Sequence, residues 1–366
     1  MLAMNRKLRV AAFGWFAIAL GLNFPITSPG TAQPIPDQTL PSGERSQVSG
    51  NPIFQIDGGA IRGANLFHSF SQFSLANGQT AFFNNALTIS NIITRVTGGN
   101  ISTIDGTIQA NSSANVFLIN PNGIIFGSNA RLSLGGSFLA TTASAIQFGN
   151  QGFFSAINPN EPSLLTVNPS ALLFNQLPTQ PIINRSIADG VGLQTSPGNS
   201  LLLVGGDVRF EGGRILSPGG RVELAGISSV GNVGLTTTGT EWRLTLPADL
   251  ERAPVSLANQ ARVDVNALAT AGGSIAVHAR NVTLSGSRLL IRVQPTAASA
   301  GAQAGDITVN ATESIDLNNA QITNIVQTGA IGNAGNIDLT AGSLRVTNGA
   351  QIVSSTFGRG NSGNIE

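Results

Sequence analysis

The residue types that most often carry out chemistry are scarce in this chain. It has no cysteine, two histidines (His68 and His278) and a single lysine, Lys7. The histidines are far apart in the sequence, so a metal site would depend on scattered carboxylates. The lack of any further lysine excludes a Walker A phosphate loop and Schiff-base chemistry. We therefore predict no catalytic residue, no metal site and no cofactor, and a protein that is not an enzyme.

Three other patterns resemble sites without their context. Gly358–Gly363 matches the G-x-G-x-x-G dinucleotide fingerprint, but no helix is expected to follow it. Gly205-Gly206-Asp207 lacks the nonapeptide period of calcium-binding β repeats. A glycoside hydrolase needs paired carboxylates, whereas the acidic residues of the middle of the chain are spread out: Glu211, Glu223, Glu241, Asp249 and Glu251.

The amino terminus has the pattern of a secretory signal peptide, which we assign to residues 1–32. Three basic residues lie within positions 6–9, an apolar run fills residues 10–22, and Thr31-Ala32-Gln33 offers small residues for cleavage. The apolar run is shorter than the ~20 residues that span a bilayer. Cleavage is therefore favoured over retention as a membrane anchor.

Removal of this leader changes the charge balance. Three of the 19 basic residues belong to it, which leaves 16 arginines against 18 acids and a net charge of −2. On this count we expect no basic patch able to attract nucleic acid or anionic lipid. An exported chain without cysteine has no disulfides, so its stability must come from burial and backbone pairing.

A strong turn signal lies near the middle of the amino-terminal half. Asn120-Pro121-Asn122-Gly123 separates the apolar runs 116–119 and 124–126. Proline presets φ at the second turn position, asparagine tolerates the left-handed region, and glycine supplies a positive φ. The sequence predicts a strand, a tight turn and a second strand, with both strands buried.

The carboxy-terminal half is repetitive. One pattern begins at residues 272, 304, 334 and 362, at spacings of 32, 30 and 28 residues, and a second pattern recurs in step with it at 257–263, 317–322 and 346–352. A period near 30 residues with short β runs and no helix predicts an all-β protein built as a right-handed parallel β-helix, in preference to an antiparallel sandwich.

Four blocks of the amino-terminal half together resemble the two-partner secretion domain. This domain is the amino-terminal module of filamentous-haemagglutinin-like exoproteins of Gram-negative bacteria, including cyanobacteria. The similarity covers residues 48–150. It is carried by a first block with Arg62, Asn65, Phe67, Phe70 and Phe73, a second with Arg95, Gly98 and Gly99, the NPNG motif Asn120, Pro121, Asn122 and Gly123, and a closing block that begins with Gly135 and Gly136.

One departure from the family pattern concerns a second motif, NPNL, which many members carry upstream of NPNG. Here the corresponding residues read Asn84-Asn85-Ala86-Leu87, without proline. A role in transporter contact is therefore not carried over to residues 84–87.

The resemblance implies a secreted or surface-exposed exoprotein. Such a chain is exported through the periplasm, binds the periplasmic POTRA domains of a dedicated outer-membrane β-barrel transporter, and folds outside as a β-helical, adhesin-like stalk. Host, cell-surface or matrix ligands would be its further partners, and nucleic acid would not. We assign residues 33–157 to the secretion and capping module, 158–200 to a Pro-rich transition, and 201–366 to β-helix repeats that continue in a longer native chain.

Several alternatives stay open at this point. The NPNG motif either shapes a turn that nucleates the helix or is recognised directly by the transporter. The three phenylalanines of the first block either pack in the core, which we favour, or form an exposed binding patch. The whole chain could instead be a β-helical carbohydrate-active enzyme or a purely structural component of a surface layer or matrix.

Overall fold

The structure, a computed structural model, describes residues 32–159, 161–268, 272–296 and 301–366. The predicted signal peptide, apart from Ala32, lies outside these residues. The described residues form 35 β-strands and two short 3-10 turns, Ser42–Glu44 and Ala188–Gly190, and contain no α-helix. No helix in this part of the chain is long and apolar enough to cross a membrane.

Most strands stack in parallel into the three faces of a β-helix. Nine coils can be followed along the first face in the described part of the chain. This face consists of β5 (Asn65–Gln72), β7 (Asn91–Val96), β10 (Asn115–Ile119), β13 (Phe138–Thr141), β19 (Leu201–Gly205), β22 (Arg221–Gly226), the first halves of β27 (Ser274–Ser285) and β30 (Ile307–Asn318), and β33 (Ile337–Thr340).

The second and third faces follow the first in each coil. The second face consists of β8 (Ser102–Ile104), β11 (Ile124–Phe126), β17 (Ile182–Asn184), β20 (Val208–Glu211), β25 (Val255–Ala258), the second halves of β27 and β30, and β34 (Ser343–Thr347). The third face consists of β3 (Ile53–Gly58), β6 (Thr80–Phe83), β9 (Thr107–Ala110), β12 (Arg131–Ser133), β18 (Leu193–Gln194), β21 (Arg214–Leu216), β26 (Arg262–Ala267), β28 (Arg288–Val293), β31 (Gln321–Val326) and β35 (Gln351–Thr356).

The remaining strands lie outside the coils. Three of them pair antiparallel around the first coils: β1 (Ile35–Pro36), β2 (Ser46–Ser49) and β4 (Ala60–Arg62). An antiparallel outer sheet is inserted into the fourth and sixth coils and consists of β14 (Ala145–Gln147), β15 (Phe153–Ser155), β16 (Ala171–Phe174), β23 (Gly231–Thr238) and β24 (Glu241–Thr245). A short parallel pair joins β29 (Ala302–Gln303) to β32 (Gly332–Asn333).

The register explains the sequence repeat. Ile275, Ile307 and Ile337 are direct partners on neighbouring coils, and Ile337 also bridges Ile365. The spacing of about 30 residues is therefore the length of one coil. The predicted parallel β-helix is confirmed.

Two hydrophobic cores account for the long apolar runs of the first face. In β10, Val116 and Leu118 point into the interior core of the coils, whereas Phe117 and Ile119 point into an outer core beneath the outer sheet. A strand buried on both sides has no need for polar alternation. The outer core extends to Trp242, whose ring lies 5.2 Å from that of Phe117 in an edge-to-face arrangement.

The three phenylalanines of the first block divide between these cores. Phe70 and Phe73 lie in the interior core, and Phe67 lies in the outer core. The Phe67 ring is 4.9 Å from that of Phe154 and 5.4 Å from that of Phe148, both edge-to-face. All three are buried, so they form no exposed patch.

Candidate functional site

The NPNG motif forms the corner between the first and second faces of the third coil. The Gly123 N–H donates to the carbonyl oxygen of Asn120 at 3.1 Å, which closes a β-turn centred on Pro121 and Asn122. Gly123 has a φ of 111°, where glycine is favoured. The flanking strands β10 and β11 pair with the neighbouring coils and not with each other. The predicted strand, turn and strand are therefore a coil corner and not a hairpin.

Asn120 ties this corner to the preceding coil. Its side chain is fully buried, and Nδ2 donates to the Asn100 carbonyl oxygen and to Ser102 Oγ, both at 2.9 Å. Its Oδ1 accepts from the backbone N–H of Asn122 at 2.9 Å and from Asn122 Nδ2 at 3.2 Å. Each polar atom of this side chain has a partner inside the protein, as burial requires.

The second block lies directly beneath the turn. Asn122 Nδ2 donates to the carbonyl oxygen of Gly98 at 2.7 Å. A Cβ at Gly98 would collide with the carbonyl oxygen of Ser71, so only glycine lets the two coils approach here. Gly99 faces open space instead. The fold thus brings Gly98 of the second block into contact with the NPNG motif.

An open groove of about 510 Å³ borders the motif. Gly99, Pro121, Asn122 and Thr142 form one wall, and residues 176–180 form the other. Thr142 Oγ1 donates to the carbonyl oxygen of Gln180 at 2.8 Å and so fixes the distance between the walls. The motif therefore has a buried side, held by Asn120, and a side that faces the groove.

Arg62 and Asn65 of the first block both hold residues 162–167 against the helix. Arg62 Nη1 and Nη2 each donate to one carboxylate oxygen of Glu44 at 2.8 Å, and its Nε donates to the carbonyl oxygens of Pro162 and Ser163 at 2.9 Å. The hydrogen bond from Arg62 lowers the pKa of Glu44. Asn65 Nδ2 donates to the carbonyl oxygens of Leu165 at 2.8 Å and Val167 at 2.7 Å.

Asn65 is also the first member of an asparagine ladder along the first face. Asn91 Nδ2 donates to Asn65 Oδ1 at 2.8 Å, and Asn115 Nδ2 donates to Asn91 Oδ1 at 2.9 Å. The backbone N–H of Ser137 continues the ladder by donating to Asn115 Oδ1 at 2.8 Å. Of these asparagines, only Asn65 belongs to the four sequence blocks. The other members could have been recognised because an asparagine precedes the apolar run of each of these strands.

Arg95 is a buried cation that joins three parts of the protein. Its Nε donates to Ser69 Oγ at 2.9 Å, Nη1 to the carbonyl oxygen of Ser155 at 2.8 Å, and Nη2 to Thr39 Oγ1 at 2.8 Å. The guanidinium carbon also lies 3.9 Å from the centre of the Phe154 ring. Burial lowers the pKa of Arg95 to about 10, so it stays charged at neutral pH.

The counter-charge of Arg95 is Asp37, which Ser69 and Thr39 link to it. Ser69 Oγ donates to Asp37 at 2.7 Å, and so does Thr39 Oγ1. Burial alone would raise the pKa of Asp37, but hydrogen bonds from Thr97, Thr39 and Ser69 outweigh it and lower the pKa. Arg95 is therefore used inside the protein and is not available to a partner.

Gly135 and Gly136 serve close packing between the third and fourth coils. A Cβ at Gly135 would collide with the Ser112 carbonyl oxygen, and one at Gly136 with that of Ala114. The closing block is thus positioned by the same kind of contact as Gly98, in which a glycine packs against a backbone carbonyl oxygen of the preceding coil.

Residues 84–87, where the NPNL motif would stand, form the corner between β6 and β7. Asn85 is buried, and its Oδ1 accepts from the backbone N–H of Asn111 at 2.9 Å. Leu87 is 79% exposed. The first part of this corner therefore stabilises the next coil, whereas its end presents an apolar side chain to solvent.

The scattered carboxylates come closer together in the fold than in the sequence. Glu223 and Glu241 both contact Arg221, although Glu223 is fully buried and its Oε2 accepts from the Leu244 N–H at 3.0 Å. His278 Nε2 lies 4.0 Å from Glu223, and burial lowers the pKa of this histidine to about 4. Among the described residues, no group of three or more potential ligands is placed to hold a metal ion.

Comparisons with known proteins found a matching family model and similar solved structures. A family model described as the TPS secretion domain matches residues 32–277, which include all four blocks. The crystal structure of the HMW1 secretion domain from Haemophilus influenzae is similar in fold, with a TM-score of 0.55 and 18% identity over 88% of this chain and 92% of that chain. A filamentous hemagglutinin secretion domain also matches, with a TM-score of 0.44 and 16% identity over 91% of this chain and 99% of that one. The search of curated proteins found no match. The chain belongs to the TPS, or two-partner secretion, domain family.

Proposed function

We propose that the secretion module, residues 33–157, binds the periplasmic POTRA domains of a partner outer-membrane transporter after the signal peptide, residues 1–32, has been cleaved. The transporter then passes the chain to the cell surface, where residues 201–366 form an adhesin-like stalk. The observation that carries this proposal is the match of residues 32–277 to the TPS secretion domain.

We further propose that the NPNG motif acts chiefly by building its coil corner. The internal hydrogen bonds of Asn120 and the contact between Asn122 and Gly98 support a structural role. The groove beside Pro121 and Asn122 is the surface through which direct recognition would have to act.

Export itself is tested by expressing the chain with and without a candidate partner transporter and measuring extracellular and surface-exposed protein. We expect export only when the transporter is present. Equal export without any such transporter would overturn the proposal.

The two roles of the motif are separated by Asn120→Ala and Asn122→Ala. Asn120→Ala removes a buried hydrogen-bonding group and leaves its partners unsatisfied, so we expect a loss of about 1–3 kcal/mol in the free energy of unfolding. Asn122 is only half-buried. For Asn122→Ala we therefore expect a smaller loss in the free energy of unfolding and a smaller loss of export. Urea unfolding and export are measured for both variants. Export lost by either variant at unchanged stability would instead favour direct recognition.

A further inference from the structure

The outer surface of the third face carries an arginine row, which we define as Arg214, Arg262, Arg288 and Arg292. The first three are direct register partners on β21, β26 and β28. Neighbouring strands lie about 4.8 Å apart, so these side chains leave successive coils one above the other. Arg292 lies four residues after Arg288 and therefore on the same side of the strand. Coil stacking aligns arginines that the sequence separates, so the charge count of the chain does not reveal this row.

The arginine row is not neutralised. Among the described residues, Asp264 is the single carboxylate in ion-pair contact with any of its members, at 2.7 Å from Arg262, 3.3 Å from Arg292 and 3.9 Å from Arg288. Four cations against one anion leave a local charge of +3 on a chain whose remaining residues are slightly acidic. This concentration of charge needs an explanation beyond ordinary surface solvation.

The hydrogen bonding of the row is also incomplete. The Nε atoms of all four arginines are buried and have no hydrogen-bond partner among the described residues. Burial, together with the charges of Arg262, Arg292 and Arg214, lowers the pKa of Arg288 against the opposing effect of Asp264. An added anion would offset this repulsion.

A groove of about 320 Å³ runs beside the row. Its wall contains Arg214, Arg262 and Arg288, and its other lining residues are small or carry amides: Gln260, Ala261, Gly286, Ser287, Asn319, Ala320, Gln321 and Gly349. These residues come from five successive coils, so the groove extends along the helix axis. None of its lining residues is aromatic.

We infer that this groove binds a linear anionic polysaccharide that carries sulfate or carboxylate groups. Guanidinium groups bind such oxyanions through paired hydrogen bonds. Three register-matched arginines span about 10 Å along the axis, which is longer than one oxyanion, and the amide side chains suit sugar hydroxyls. The lack of aromatic rings disfavours single-stranded nucleic acid, whose bases need stacking partners. This inference is independent of export, because the purified protein can be tested alone.

The test measures binding of the purified protein to dextran sulfate, with uncharged dextran as the probe control. The variant Arg262→Gln/Arg288→Gln is compared with Arg280→Gln/Arg345→Gln, which removes the same charge at exposed positions outside the groove. We expect the first variant to bind at least tenfold more weakly and the second less than twofold. Affinity should fall as salt rises, and uncharged dextran should not bind. Equal effects of the two variants, or none in the first, would overturn the inference.

Two competition experiments identify the ligand chemistry, and one further variant replaces the double variant if the double variant does not fold. Complete displacement by free sulfate at the same total sulfate concentration would show a site for a single oxyanion and overturn the polymer assignment. Equally tight binding of a thymidine oligonucleotide that is weakened by the same variant would overturn the polysaccharide assignment.

If thermal unfolding shows that the double variant does not fold, Arg214→Gln is used, with an expected loss of at least threefold in affinity for dextran sulfate. Unchanged binding by Arg214→Gln would then count against the groove.

Discussion

Asn65, Arg95 and Asn120 are polar side chains that are almost wholly withdrawn from solvent. Each donates to the backbone of a distant segment: residues 165–167, Ser155 and Asn100, respectively. A buried carbonyl oxygen that loses its donor is costly. At the residue scale, these three polar side chains therefore hold separate segments of the chain together.

His68 makes stability depend on pH. It is fully buried next to Phe83, with Nδ1 3.0 Å from Ser46 Oγ, and burial lowers its pKa from 6.5 to about 3. The folded state therefore binds fewer protons than the unfolded state between these values. The contribution of His68 to the free energy of unfolding is fully present above about pH 6.5 and is lost progressively as the pH drops towards 3. At pH 5 the loss due to His68 should be about 2 kcal/mol.

Urea unfolding at pH 7.5 and pH 5.0 measures this loss. In His68→Gln the difference between the two pH values should be smaller than in the wild type by that amount. His278, with a pKa of about 4, should keep its own contribution in both proteins. An unchanged difference in His68→Gln would show that this residue does not control the effect.

At the scale of elements, coil corners work through close approach of backbone to backbone. Gly98, Gly135 and Gly136 each pack against a carbonyl oxygen of the preceding coil. The asparagine ladder then fixes the starts of the first-face strands, and the outer sheet covers their outward side chains. Coil stacking thus depends on residue size at the corners as much as on apolar burial.

Gly98→Ala and Gly99→Ala test the role of the corner. A methyl group at Gly98 meets the Ser71 carbonyl oxygen, so we expect a loss of about 1–3 kcal/mol in the free energy of unfolding. The same change at Gly99 enters open space and should be neutral or stabilising by about 0.4–1 kcal/mol, because it restricts the unfolded chain. Chemical denaturation compares the two. Equal losses would show that the corner does not depend on this contact.

Asn65→Ala tests how residues 161–168 are held. The substitution removes the two hydrogen bonds that Asn65 donates to this segment, whose Leu164 is already 74% exposed. We expect faster chymotryptic cleavage near Leu164 with little change elsewhere. Asn115→Ala is the control, because the hydrogen bonds of the Asn115 side chain go to Asn91 and Ser137 and not to this segment. Cleavage accelerated equally in both variants would indicate general destabilisation of the ladder instead.

At the scale of the whole molecule, protection should vary along the helix axis. Ile315 and Leu317 of β30 are buried, whereas their register partners Leu344 and Val346 of β34 are 50% and 45% exposed. Repeat proteins unfold according to nearest-neighbour contacts, so elements with one covered side open most easily. Hydrogen–deuterium exchange of the 366-residue chain should be fast in residues 343–356 and slow in residues 274–293. Uniform protection along the chain would indicate a single cooperative unit.

The sequence by itself determined the parallel β-helix, the NPNG turn and the coil length of about 30 residues in the carboxy-terminal half. These features rest on local rules: apolar periodicity, turn chemistry and glycine where no Cβ fits. Its four blocks also indicated the secretion-domain family, because their order and spacing are readable along the chain.

Only the tertiary structure decided which residues meet across coils and insertions. The outer core joins β10 to Trp242, the asparagine ladder joins strands 24 and 26 residues apart, and the arginine row aligns residues from three coils. No short-range sequence pattern predicts these contacts, because each depends on the number of residues in every turn between the strands. A change of one residue in a coil would shift the alternation of side chains and break the row. The chain's net charge therefore gave no sign of the arginine row.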